Sequence, residues 1–252
     1  MNKFIKLCLL ISFITWISCI NYAESRPIIN QIDTLYETRN IDGNLEKSIT
    51  LINETLSTEI SESLTYEICW RFARQVSAAK NYLNADKKEK LGLYSRGLEQ
   101  SLNAIKLQPN SINALYWHAI VLGRQAELQG ILNSLSSVKP IKASMEKILQ
   151  QDPKFSRGYF VLSRLYRKAP KFISIGNPKK ALNNINIALK LDSNDSIYIL
   201  EKSRVLIKLK KKEDAIKELK SIINLPIYAN YFKDQVLRDK QEAKNLLNKL
   251  MD

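Results

Sequence analysis

Apolar positions recur at steps of three and four residues along most of the chain, the spacing that puts side chains on one face of a helix. In one stretch the pattern nearly repeats itself. In NPKKALNNINIALKLDSND, Ala181, Ile185 and Ala188 share a face, and in KKEDAIKELKSIINLP, Ala215, Leu219 and Ile222 share the corresponding one. Each member of the second set stands 34 positions after its counterpart. Between them SIYILEKSRVLIKLK has room for another helix, with Ile199, Ser203 and Leu206 on its inner face, and Pro226 closes the unit. A period of this length, built from two helices whose second carries small residues where it meets the first, predicts a stacked array of helical hairpins.

The period and the small residues are those of the tetratricopeptide repeat. The expected fold is therefore all-α, a tetratricopeptide-repeat-like, right-handed array of helical hairpins with inserts and a C-terminal capping helix. A first hairpin is predicted over about 27–58, with Ile28, Ile29, Ile32, Leu35 and Tyr36 on one helix and Leu45, Ile49, Ile52 and Leu56 on the next, turning at Asp42-Gly43. A second covers about 64–108, where Cys69, Phe72, Ala73 and Val76 face Gly97, Ser101 and Ala104. The third, about 112–152, starts after Asn110-Ser111 and carries Leu115, Ala119 and Leu122. Its second helix is expected at Ile141 to Gln151, so that GRQAELQGILNSLSSV bulges from the stack. The fourth spans about 156–192, with Tyr159, Leu162, Ser163 and Tyr166 on one face and a second insert, KFISIGN, before the Asn177 cap and Pro178. The fifth spans 196–226, and 233–250 forms the cap. The pattern implies one domain over 26–252.

The segment 1–23 stands apart from this pattern. MNKFIK is a short basic start, LCLLISFITWISCI an apolar run, and NYAESRP a polar stretch, the order of a secretory signal peptide. The run is short for a membrane-spanning helix, which needs roughly 20 apolar residues. Ile17, Ser18 and Cys19 resemble the end of a bacterial lipobox, with Trp16 where leucine is usual, which makes Cys19 a candidate for acylation; cleavage after Ala23 is the competing reading. The expectation is an exported, periplasmic chain, membrane-anchored if Cys19 is lipidated. Cys8 and Cys19 lie in this segment, so Cys69 is the one thiol left in the fold and a disulfide framework is not expected.

Composition adds little chemistry but a clear sign of charge. The formal net charge is +14, with 39 Lys and Arg against 25 Asp and Glu. Lys208, Lys210, Lys211 and Lys212, and Lys87, Lys88 and Lys90, fall at predicted helix turns, which reads as solvated turns rather than a nucleic-acid site. His118 is the single histidine, and no nucleophile elbow, phosphate loop, dinucleotide glycine pattern or zinc motif occurs. Neither an enzyme nor a cofactor or metal is expected, and His118 among Tyr116, Trp117 and Ala119 reads as structural. The aromatic set is more suggestive. Trp70, Tyr116, Trp117, Tyr159, Phe160 and Tyr166 come from first helices. Adjacent helical residues point about 100° apart. The pairs Tyr116-Trp117 and Tyr159-Phe160 must then each send one ring beyond the hairpin partner, to another layer or to a ligand cavity.

From about Tyr94 to Pro226 the chain resembles the T component associated with tripartite ATP-independent periplasmic (TRAP) transporters. The residues that carry this are SLNAIKLQPNSINALYWHAIVLG, the insert leading to IKASMEKILQQDPKFSRGYFVLSRLYRKAP, and GNPKKALNNINIALKLD. The same stretch is similar to the regulator of microtubule dynamics family, above all in the Lys-containing approach to IKASMEKILQQDPKF. The first resemblance implies an exported, commonly lipid-anchored protein that binds a periplasmic solute-binding protein and holds a small apolar ligand in a channel. A general interaction scaffold that clasps a peptide or helix in its groove is the alternative, and self-association is open.

Overall fold

The computed structural model describes residues 26–171 and 174–251, and the signal segment, with Cys19 and the alternative cleavage point at Ala23, lies outside them. The described residues are helical without strands. The helices are α1 (26–37), α2 (Asn44–Leu56), α3 (Glu62–Ser77), α4 (Ala79–Tyr82), α5 (Lys87–Leu107), α6 (Ile112–Gln129), α7 (Ile131–Gln151), α8 (Ser156–Lys168), α9 (Pro178–Leu191), α10 (Ser196–Lys208), α11 (Lys212–Asn224) and α12 (Lys233–Met251). None of them is long and apolar enough to cross a membrane. Contacts gather the chain into two compact units, one ending at His118 and the other beginning at Ala119.

In the first unit α3 is the central element, packed on α2 and α5. Cys69, Phe72, Ala73 and Val76 are buried on it, opposite Gly97, Ser101 and Ala104 of α5, as their spacing predicts. Short side chains on α5 let the two backbones approach while larger ones on α3 fill the gap. The helix starts are fixed by side chains that accept from otherwise unpaired N–H groups. Asp86 and Glu89 form a reciprocal box at α5, and Ser111 Oγ accepts from Ala114 N at 3.1 Å at α6.

The second unit repeats the arrangement more regularly. Ala181, Ile185 and Ala188 of α9, and Ala215, Leu219 and Ile222 of α11, are all fully buried. Asn177 Oδ1 accepts from Lys180 N at 3.0 Å, with Pro178 at the first helical position. Helix α12 closes the end: Ala243, with Leu246, Leu247 and Leu250, packs on Ile199, Leu200, Leu219 and Ile222. Each fully buried leucine or isoleucine contributes roughly 1.5–3 kcal/mol.

The first insert differs from expectation. GRQAELQGILNSLSSV does not bulge; α6 continues through it to Gln129 and α7 begins at Ile131, so the extra residues lengthen both helices of the pair. Gly130 makes the sharp turn between them, at φ 109°, a value side chains rarely tolerate. Gln125, Ala126, Glu127, Leu128 and Gln129 are good helix formers, and Pro140 sits inside α7 without ending it. Asn177 N donates to the Tyr166 carbonyl at 2.8 Å, and a Cβ on Gly176 would stand 2.1 Å from the Ala169 carbonyl oxygen.

Candidate functional site

The predicted aromatic residues fall into two separate sets. In the first unit Trp70 is buried with Tyr66, Cys69, Ala104 and Ala114, and Trp117 packs against this cluster. Trp117 meets Tyr116 edge-on at 5.0 Å between ring centroids and Tyr36 of α1 at 6.4 Å. In the second unit the sequence pattern finds the buried side of α8 in part: Leu162 and Ser163 are buried as predicted, but Phe160 and Val161 join them in place of Tyr159 and Tyr166. Phe160 is buried against Tyr198 of α10, 5.2 Å between centroids, while Tyr159 and Tyr166 remain half-exposed. Tyr159 donates to the Pro153 carbonyl at 3.2 Å, and Lys180 of α9 lies over Tyr166. Phe160 thus reaches the next hairpin, one of the two destinations its geometry allowed.

The residues around those rings carry a feature absent from the sequence reading. In the first unit Asp33 of α1 receives both Arg71 Nε and Arg71 Nη2 of α3 at 2.9 Å, and Arg74 Nη2 at 2.5 Å. Glu67 accepts from Arg71 and from Trp70 Nε1, and the Arg74 guanidinium lies 4.3 Å from the Tyr36 ring centroid. Burial works to raise the Asp33 carboxyl, yet the Arg71 hydrogen bond and the charges of Arg74 and Arg71 outweigh it and hold it below the ordinary value.

The second unit holds a longer ladder of the same kind. Glu127 of α6 accepts from Lys168 of α8 at 2.5 Å, and Arg164 stands 3.5 Å from the same oxygen. Arg167 of α8 grips Glu201 of α10 through two hydrogen bonds, 2.6 and 2.8 Å, and Glu201 has no exposed surface. Arg204 of α10 reaches Glu242 of α12 at 2.5 Å. Successive first helices are therefore tied by charge on one surface, whereas the second helices α9 and α11 bury alanine, leucine and isoleucine.

The remaining candidate groups are quiet. His118 Nδ1 is 2.9 Å from Ser101 Oγ, and burial lowers its pKa, favouring the neutral ring. Cys69 Sγ donates to Gln100 Oε1 at 3.1 Å, and burial pushes the thiol up to about 11, which keeps it protonated and unreactive. Among the described residues no group of His, Cys, Asp or Glu is placed to hold a metal ion. The lysines at 208 and 210–212 are exposed at the α10–α11 turn.

Comparison with solved structures shows the fold. A thermophilic TPR protein of Thermus thermophilus superposes with a TM-score of 0.62 at 14% identity, over 88% of this chain and 99% of that one. MamA (41-end) from Desulfovibrio magneticus RS-1 does so with a TM-score of 0.50 at 16% identity, over 79% and 94%. Among curated proteins, regulator of microtubule dynamics protein 1 of Bos taurus is 29% identical over 131 residues, 52% of this chain and 38% of the relative's length. Protein 3 of Rattus norvegicus is 26% identical over 137 residues, 54% of this chain and 28% of its own. The chain thus spans well under half of these two relatives, but the Caenorhabditis elegans protein 1 is matched at 24% identity over 86% of this chain and 96% of that one. Of the two families the sequence resembles, it is the second whose model matches: with residues 28–251 covered by the model for regulator of microtubule dynamics protein 1-3, the chain belongs to that family.

Proposed function

We propose that this chain is a non-enzymatic helical-repeat scaffold that holds a segment of another protein on the surface of its first helices. The observation that supports this most is the ion-pair ladder across α6, α8, α10 and α12. Ion pairs, half-buried or fully buried, return little net stability against apolar side chains of the same size, because desolvation offsets most of the attraction. The array is already held by apolar second helices, so the ladder is better explained by a surface kept charged and shaped for a partner. The relatives' name makes microtubules the first partner to test, by co-sedimentation with the polymer.

A photo-reactive residue at Lys168, on the ladder, should crosslink a protein partner in extracts of the source cells. The same residue at Ile187, exposed on second helix α9, should not. Crosslinking from Ile187 alone would refute the assignment of the surface. The narrower reading, with a periplasmic solute-binding protein as partner and a small apolar ligand held within, rests on the first resemblance, and native mass spectrometry with lipid extracts offered tests it. On the reading of the segment 1–23 we also place the chain outside the cytoplasm, anchored through acylated Cys19. Incorporation of a fatty-acid analogue, abolished by Cys19→Ser, tests that placement.

A further inference from the structure

The ladder of the second unit contains more cationic donors than its own carboxylates occupy. Across α6, α8 and α10 stand Arg124, Arg164, Arg167, Lys168 and Arg204, with Glu127 and Glu201 between them and Glu242 at the α12 edge. Arg167 is committed to Glu201 by two hydrogen bonds, Lys168 to Glu127, and Arg204 to Glu242. Arg124 and Arg164 are different. They approach the same Glu127 carboxylate at 4.0 and 3.5 Å, and among the described residues neither donates a hydrogen bond. Each guanidinium offers five N–H groups in a plane that matches a carboxylate. Two such groups therefore sit beside one another with their donors unspent, and the charge of Arg124, after burial, weighs against the charged form of Arg164.

An incoming anion would relieve that repulsion and use those donors. We propose that Arg124 and Arg164 form the recognition point for an acidic peptide segment, whose Asp or Glu carboxylate bridges the two guanidiniums while a neighbouring carboxylate meets Lys168. This rests on the scaffold reading above and names the chemistry of its partner. A peptide fits better than a phospholipid surface. The Arg124 and Arg164 side chains keep only 24% and 29% of their exposure, against 46% for Lys168 beside them, so the reading group must be slender enough to enter the ladder. A bilayer would instead meet the protruding Lys208, Lys210, Lys211 and Lys212 at the α10–α11 turn. The net charge of +14 steers an acidic segment toward the chain.

The test is fluorescence anisotropy of the full chain with a fluorescein-labelled peptide of alternating Glu and Gly, and with its Gln and Gly counterpart, alongside sedimentation with phosphatidylserine vesicles. Two variants are compared, Arg124→Gln with Arg164→Gln, and Lys210→Gln with Lys211→Gln and Lys212→Gln, each checked for an unchanged far-UV spectrum. The Glu peptide should bind and the Gln peptide should not. The arginine variant should lose about tenfold in affinity or more, the scale of one or two charge-assisted hydrogen bonds. The lysine variant should lose less than about threefold, because its charges are exposed and screened by salt. Equal losses in the two variants would mean diffuse attraction and overturn the proposal. So would an arginine variant that keeps the peptide but loses the vesicles, which would assign the site to lipid. A protein partner crosslinked through Lys168 whose binding ignores both arginines would remove this proposal and leave the scaffold reading standing.

Discussion

Arg167 and Glu201 offer the sharpest test of how the array is held together. Glu201 is wholly buried, and its carboxylate is satisfied by two Arg167 hydrogen bonds, with Arg204 a further 3.7 Å away. Replacing Arg167 by Leu leaves a buried carboxylate with one loose partner. Losing one member of a buried pair costs about 3–5 kcal/mol. Arg204 can move in to recover part of this, so the expected loss for Arg167→Leu is about 2–4 kcal/mol. The double variant Arg167→Leu, Glu201→Leu removes both charges and fills the space with apolar atoms, and should lie within about 1 kcal/mol of the parent. Urea unfolding followed by helical circular dichroism measures all four corners of the cycle. A loss for Arg167→Leu below about 0.5 kcal/mol, the range of an ordinary surface substitution, would show that the pair is not the buried unit described here. A double variant as unstable as the two singles added would show the same.

Three other outcomes follow from single positions. Lys210 holds φ 60° where α10 ends, with Lys210 N and Lys211 N donating to the Ile207 and Leu206 carbonyls, a cap that favours glycine; Lys210→Gly should stabilise by about 0.5–1 kcal/mol in the same urea assay. Gly176→Ala should destabilise by about 1–3 kcal/mol, since the new methyl meets the Ala169 carbonyl at 2.1 Å, and an unchanged urea midpoint would contradict that contact. Asp239, accepting from Ser196 Oγ at 2.7 Å and Gln235 Nε2 at 2.8 Å, is raised to about 6 from an ordinary 3.8; burial is the cause, opposed by those bonds and by Arg204 and Arg238. The folded state then binds this proton more tightly than the unfolded one, so its contribution is full below about pH 3.8 and is lost as pH rises through about 6. Asp195, also raised to about 6 by burial, acts in the same window. Asp239→Asn should flatten the decline in stability between these limits by about 1–3 kcal/mol, measured by urea unfolding at each pH.

The hairpins are legible because their information is local and apolar. The alanine, isoleucine and alanine triplet of α9 has its counterpart in α11, Ser101 and Ala104 play the same part on α5, and Asn177-Pro178 marks a helix start that the structure reproduces. The first insert escapes a sequence reading because residues added beyond the repeat period look the same whether they loop out or extend helices. Here Gly130 places the turn late, and both flanking segments have ample helix propensity. The buried side of α8 is ambiguous for a similar reason. Tyr159, Leu162 and Tyr166 and the set Phe160, Val161 and Leu162 are both apolar, and only packing against Tyr198 selects Phe160.

The ladder is illegible in any single window because its partners are far apart. Asp33 and Arg71 are 38 residues apart, Glu127 and Lys168 41, Arg167 and Glu201 34, and Arg204 and Glu242 38. Those separations are about one repeat, so opposite charges on successive first helices at repeat spacing are the signal that finds such pairs. Reading the lysine runs as solvated turns explains the charge of residues 208–212 but not that of α8, where Arg164, Arg167 and Lys168 face neighbouring helices.

Hydrogen exchange of the full chain with and without the acidic peptide tests the central claim most directly, because it reports where a partner sits without assuming which side chain it touches. Added protection is expected in α6 and α8, the first helices that carry Arg124, Arg164 and Lys168, with α9 and α11 unchanged. Protection confined to α9 and α11, or to residues 225–232 between α11 and α12, would contradict it.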